Sequence, residues 1–180
     1  MPAPPPDRHR CFIALGPAAD TRAHLGGLGA TLPPARLQPP DLHLTIAFLG
    51  GLTADQETQL HAALPSLAHA LPALEGASLE FWPQPTRPRV AVVSFALPAP
   101  LRRLVADMQA ILRDMDLQVE TRPFRPHVTL ARFKTGQPMP DPPRAAPAIP
   151  PARFDTLGLY CSAPSGSATR YAALFRFDLT

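Results

Sequence analysis

Twenty-six prolines divide this chain of 180 residues into short segments. Each proline fixes φ and removes a backbone donor, so a dense run cannot be the interior of a helix or a central strand. The runs mark a leader over residues 1–9, a connection over residues 32–40, a loop over residues 83–88 and a long extended crossover over residues 136–151. The core has to be built from what lies between them. A chain of this length can bury roughly 70% of its unfolded surface, which fits a single domain, made of one core or of two small lobes that share it.

The intervening segments alternate in type. Residues 11–15 (CFIAL) read as a short apolar strand, followed by a weak helix over 18–32 that Gly26, Gly27 and Gly29 interrupt. Residues 42–49 read as a strand that Gly50 and Gly51 stop. Thr53 and Gln56 form a capping-box pattern ahead of the stripe Leu60, Leu64, Leu67 and Leu71, in which Pro65 predicts a kink or break. Strands are expected near 77–82 and 89–97. The spacing of Leu101, Leu104, Val105, Met108, Ile111, Leu112 and Met115 then predicts the clearest amphipathic helix in the chain. Residues 127–133, 153–162 and 170–178 complete a mixed α and β pattern, the last two strands being separated by turn-forming residues 163–168.

Within that pattern one short phrase is written twice. HLTIAFLG begins at His43 and HVTLARF at His127, each lying in an expected strand. Residues i and i+2 of a strand project from one face, so His43 and Thr45 point one way while Leu44 and Ile46 point the other. His127 and Thr129 stand likewise against Val128 and Leu130. If similar units recur and pack together, two imidazoles and two hydroxyls meet. That set suits in-line displacement at phosphorus, with one imidazole taking a proton from the attacking oxygen and the other giving one to the leaving oxygen. Histidine serves both roles because its ordinary pKa lies near 6.5. Threonine hydroxyls and an arginine can hold the non-bridging oxygens. Arg122, Arg125 and Arg132 surround the second motif. Strict alternation puts Arg132, five residues beyond His127, on the opposite face, so a bulge, a twist or the strand end is needed for it to take part.

The remaining chemistry-bearing residues have plainer readings. His9, His24, His61 and His69 are assigned to the surface. Asp41 caps a loop or orients an imidazole, and Phe48, Phe81, Trp82, Phe124 and Tyr160 pack in the core or stack on bases. Cys11 and Cys161 lie in apolar strand-like stretches with no zinc-type spacing and are read as buried thiols. No metal-ligand set is spaced as zinc requires. The net charge of +3 and pI near 9.4 favour an anionic partner. Sixteen of the 17 basic residues are arginine, whose planar fork binds two phosphate oxygens at once. No secretory h-region and no stretch of about 18 uninterrupted apolar residues occurs, so a cytoplasmic location is expected.

Taken together, CFIALG, PPDLHLTIAFLG, RPRVAVVSF, RPFRPHVTLARF and LGLYCSAPSGSATRYAAL resemble the two-histidine (2H) phosphoesterases, and among them the RNA 2',3'-cyclic phosphodiesterases, also called 2'-5' RNA ligases. The resemblance implies a single domain over residues 1–180 with an α+β, bilobal fold. In it two antiparallel sheets face each other across a central cleft, helices lie outside, and each pseudo-symmetric lobe contributes one H-x-T-x motif. It implies metal-independent hydrolysis of an RNA terminal 2',3'-cyclic phosphate to a 2'-phosphate and a 3'-hydroxyl by a cofactor-free monomer. His43 and His127 would be catalytic, and Thr45, Thr129 and Arg132 would bind the phosphate. His43 is assigned to O3' and His127 to the water, although the two motifs are chemically alike and the swapped roles fit the sequence equally. Relatives usually carry an aromatic residue near Leu37 or Gln38, where this chain has none. Three alternatives stay open: 2'-5' ligation, hydrolysis of another cyclic nucleotide, and a non-catalytic RNA- or nucleotide-binding module that uses the histidines as phosphate clamps.

Overall fold

A computed structural model describes residues 8–32, 39–134 and 147–180. Residues 33–38 of the expected connection, with the position near Leu37 and Gln38, residues 136–146 of the expected crossover, and all but the end of the leader lie outside those residues. Strand β1 (Arg8–Pro17) begins two residues inside the stretch expected as leader. Helix α1 (Ala19–Ala30), β2 (Leu44–Leu52), α2 (Ala54–Ala63), β3 (Ser78–Trp82), β4 (Val90–Ser94), α3 (Ala99–Asp114), β5 (His127–Arg132), β6 (Phe154–Ser162) and β7 (Tyr171–Asp178) follow.

Local chemistry explains most of these boundaries. Thr53 accepts from the Gln56 amide while the Gln56 side chain accepts from the Thr53 amide, so α2 opens on the expected capping box. Pro65 ends the α-helical bonding, and Leu64–Leu67 continues as a 3-10 turn. Helix α3 buries Leu101, Leu104, Val105, Met108 and Leu112 on one stripe. Helix α1 survives its glycines because Leu25 and Gly29 are buried against the rest of the fold, and packing outweighs a weak intrinsic propensity. One expectation needs correction: Gly50 and Gly51 do not end β2, which runs on to Leu52. Gly50 adopts φ +71° opposite Cys11, beside register shifts in the β1–β2 ladder. A glycine tolerates that left-handed conformation, so the strand bulges and bends instead of stopping.

All seven strands pair antiparallel in the order β3-β4-β5-β2-β1-β6-β7. The α+β class stands. Where two facing sheets were expected, the ladder is continuous, but β2 and β5 are joined through one register pair, Leu44 with Val128. One face of the sheet, with Ile13, Leu15, Leu44, Val93, Val128, Leu157 and Leu159, is buried with the helices in the main apolar cluster. The other face carries the polar members of the strand pattern.

The cysteines also require correction. Cys11 and Cys161 are joined by a disulfide, not present as buried thiols. The β1–β6 register pairs Phe12 with Tyr160, which brings the preceding and following cysteines together with Cα atoms 4.2 Å apart. A sequence separation of 150 residues concealed this adjacency.

Candidate functional site

The single pair between β2 and β5 organises the site. Leu44 and Val128 are both fully buried and point into the core. In antiparallel strands the flanking residues turn to the other face, so His43 comes alongside Thr129 and Thr45 alongside His127. The two H-x-T phrases therefore meet at the middle of the polar face.

Arg132 joins them through a local irregularity. Val92 pairs with Thr129 and Ala91 with Ala131, which leaves Leu130 as an extra residue, and Val90 then pairs with Arg132. Burial follows that shift, since Leu130 and Ala131 are consecutively buried while Arg132 is exposed. The bulge restores Arg132 to the face of His127 and Thr129. Its charge acts on both imidazoles, lowering the pKa of each. Arg122, by contrast, is engaged with Glu120 at 2.5 Å on the exposed surface.

Each histidine is held in the same way at one nitrogen. His43 Nδ1 lies 2.7 Å from the Asp41 carbonyl, and His127 Nδ1 lies 2.7 Å from the Arg125 carbonyl. A carbonyl only accepts, so Nδ1 carries the proton and Nε2 carries the lone pair in both neutral rings. Burial pushes both pKa values below the ordinary 6.5, and the neighbouring positive charge of Arg132 adds to this; the bonds to the two carbonyls oppose it.

The surroundings of the two rings differ. His43 stacks on Phe12 at 4.7 Å, Phe12 stacks on Tyr160 at 5.6 Å, and Tyr171 meets His43 edge-on at 5.1 Å. Asp41, only 4% exposed, secures this cage: its Oδ1 accepts from the Arg170 and Tyr171 amides at 2.8 and 3.3 Å. Of the two roles considered for Asp41, the carboxylate takes the loop-capping one, while the backbone carbonyl orients the imidazole. His127 instead lies 4.7 Å from Trp82, over which the Arg125 guanidinium sits at 4.2 Å.

Sequence reasoning missed the residue that organises this second half. Glu80 Oε2 accepts from Trp82 Nε1 at 2.7 Å and Arg125 Nη2 at 3.1 Å, and Oε1 accepts from Ser78 and Ser94. These bonds hold its carboxyl below the ordinary range, Ser94 contributing most. The signal was available in the alternation of Ser78, Glu80 and Trp82 against Leu79 and Phe81 on a segment already read as a strand. The aromatic candidates divide: Phe81 and Phe124 pack on the core, Trp82 and Tyr160 flank the histidines, and Phe48 is 67% exposed. His24, His61 and His69 are on the surface as expected, His61 with its ring against Phe175 and Phe177.

A family profile described as LigT like Phosphoesterase matches residues 95–168, which include the second H-x-T phrase and β6. Over 185 aligned residues the chain is 30% identical to an RNA 2',3'-cyclic phosphodiesterase of Escherichia coli, covering 95% of this chain and 97% of that protein. The chain belongs to the LigT-like phosphoesterases, within the 2H superfamily. Another relative, an RNA 2',3'-cyclic phosphodiesterase of Aeropyrum pernix, is 31% identical over 67% of this chain. The chain spans 66% of that relative and 56% of a Bacillus subtilis one. Among solved structures, E. coli LigT complexed with NADP+ superposes with a TM-score of 0.74 at 25% identity, covering 96% of this chain and 99% of that one. The same E. coli protein complexed with 3'-AMP gives the same score. The α+β fold expected of a LigT-like phosphoesterase is thus the fold observed.

Among the described residues no group of three or more His, Cys, Asp and Glu side chains gathers as a metal site would require, and no helix is long and apolar enough to cross a membrane.

Proposed function

We propose that this protein hydrolyses RNA terminal 2',3'-cyclic phosphates to a 2'-phosphate and a 3'-hydroxyl without a metal ion. The observation that carries the reading is the juxtaposition of two imidazoles, each with Nδ1 tied to a carbonyl, and two threonines on one face of the sheet. The names of the E. coli and A. pernix relatives support the substrate class.

In the mechanism, Nε2 of His127 takes a proton from water as it attacks phosphorus, and Nε2 of His43 donates a proton to O3' as the P–O3' bond breaks. Both are positions that the Nδ1 bonds leave open. Thr45, Thr129 and Arg132 hold the non-bridging oxygens, on which charge grows in the transition state. Because burial lowers both histidines, the resting imidazoles favour the neutral form, which suits the base; the bound phosphate supplies the negative charge that favours a protonated acid beside it.

Mass or thin-layer analysis of a dinucleotide bearing a 2',3'-cyclic phosphate, treated in the presence of a chelator, tests this directly. The expected product is the 2'-phosphate. A 3'-phosphate would reverse the assigned regiochemistry, dependence on an added divalent ion would overturn the metal-free mechanism, and binding without product would leave a nucleotide-binding module.

A further inference from the structure

The polar face continues past His43 into a recess that the two-histidine mechanism does not use. Gly16, Arg22, Pro40, Asp41, Leu42, His43, Tyr160, Tyr171 and Arg176 enclose about 40 Å³ there, room for a few waters or one small anion. Strand register explains the opening. Thr45 pairs with Ala14, Ala14 with Gly158 and Gly158 with Arg176, so these four residues form one row across β2, β1, β6 and β7 on the site face. Three strand steps separate Thr45 from Arg176, about 14 Å between Cα atoms. Arg176 lies back over Gly158, where an added Cβ would approach its Cγ to 2.8 Å. Gly16 likewise leaves space that a Cβ would take from Thr156.

Two guanidinium groups and two phenol hydroxyls line the recess beside one carboxylate, whose single negative charge the two arginines outnumber. Arg22 Nη2 donates to the Pro17 carbonyl at 2.9 Å, which fixes that guanidinium at the mouth. The Tyr160 hydroxyl lies on the same side as Thr156 and Arg176, and the charges of Arg22 and Arg176 both act on it. Asp41 also lines the recess, but its Oδ1 accepts from two backbone amides. Asp178 stands one row away, paired with Thr156.

We infer that this recess is a second phosphate subsite, in which Arg22, Arg176 and Tyr160 bind the phosphate on the 5' side of the terminal nucleotide whose cyclic phosphate reacts at His43 and His127. The inference rests on the proposed function and deepens it. His43 lines both places, and the span left once Arg176 reaches back is one that a single nucleotide can bridge. Two guanidinium groups bind phosphate oxygens by charge-assisted hydrogen bonds, which a nucleoside lacking the 5'-phosphate cannot form. The enzyme is thereby directed to the ends of chains in preference to free cyclic mononucleosides.

The test compares adenosine 2',3'-cyclic phosphate with and without a 5'-phosphate, in the wild type and in Arg22→Gln, Arg176→Gln and the double variant. Wild-type kcat/KM should favour the 5'-phosphorylated substrate by roughly 10- to 100-fold, the worth of one or two hydrogen bonds to a charged group. That preference should reside in KM and collapse toward unity in the double variant. Binding of adenosine 2',5'-bisphosphate relative to 2'-AMP, measured by calorimetry, should show the same ratio and the same collapse. A wild-type ratio near one, a preference that survives both substitutions, or an equal loss on both substrates would overturn the inference. If neither cyclic substrate turns over, the proposed function fails, while the calorimetric ratio still decides whether the recess binds phosphate.

Discussion

The two histidines make the same bond to a carbonyl two residues upstream, yet the anchors behind those carbonyls are of opposite kinds. Asp41 is buried, and its carboxylate is consumed by the Arg170 and Tyr171 amides. Arg125 is held from its exposed guanidinium by Glu80 and by the face of Trp82, with side-chain exposures of 61% for Arg125 and 34% for Glu80. A buried hydrogen-bonded anchor is expensive to break because its partners lose water and gain nothing. An exposed ion pair competes with solvent and salt throughout. The His43 half-site is therefore built as fixed framework and the His127 half-site as an adjustable one. The proposed mechanism agrees with that division in one respect: in it His127 has to meet a mobile water, while His43 meets an oxygen that the sugar itself would position.

The comparison breaks most decisively at the histidines themselves. His43→Ala and His127→Ala should each lower turnover by about 10² to 10⁴, the usual worth of one general acid or base. The double variant should lose much less than the product of the two, because the groups act in one step. Steady-state rates on a cyclic-phosphate dinucleotide measure this. Near wild-type turnover in either single variant would remove that histidine from the mechanism.

A smaller effect separates the anchors. Asp41→Ala should cost about 1–3 kcal/mol of stability by leaving two backbone amides without their acceptor, and the loss should be insensitive to salt. Glu80→Gln should cost no more than about 1 kcal/mol, and the wild-type advantage over it should shrink as ionic strength rises. Denaturant unfolding at low and high salt gives both numbers. Equal salt dependence would abolish the distinction between framework and adjustable halves.

The smallest effect is the sharpest discriminator. Both imidazoles sit below their ordinary 6.5, burial being the main cause and Arg132 a shared one. Hence both limbs of the kcat/KM profile should lie on the acid side of 6.5. Arg132→Gln removes a positive charge that opposes protonation of either ring, so both limbs should move to higher pH. The Glu80 carboxylate favours the charged form of His127 and is not among the main influences on His43. Glu80→Gln should therefore move one limb to lower pH and leave the other in place. Two limbs moving together in Glu80→Gln would mean that the half-sites are not electrostatically separate.

Period-2 alternation and turn chemistry made much of this molecule readable in one dimension. The capping box at Thr53, the break at Pro65 and the stripe of α3 depend on residues within a few positions of one another, and such local rules are complete in the sequence. The pairing of His with Thr on one strand face is equally local. The face of Arg132 was not, because it depends on a bulge at Leu130 that arises from pairing with β4. The continuation of β2 through two glycines likewise required β1 as its partner.

By itself, then, the sequence determined which residues could do the chemistry: two H-x-T phrases and an arginine-rich surround, legible because side-chain type and strand alternation are properties of the chain alone. Tertiary structure decided which of them meet. One register pair between β2 and β5 sets His43 beside Thr129, and one between β1 and β6 closes Cys11 on Cys161 across 150 residues. Glu80 was recruited to the His127 half-site through its bond with Arg125, 45 residues away. Contacts of that range depend on how strands are ordered in a sheet, and sheet order is chosen by burial of the shared apolar face, a property of all seven strands together and of none singly.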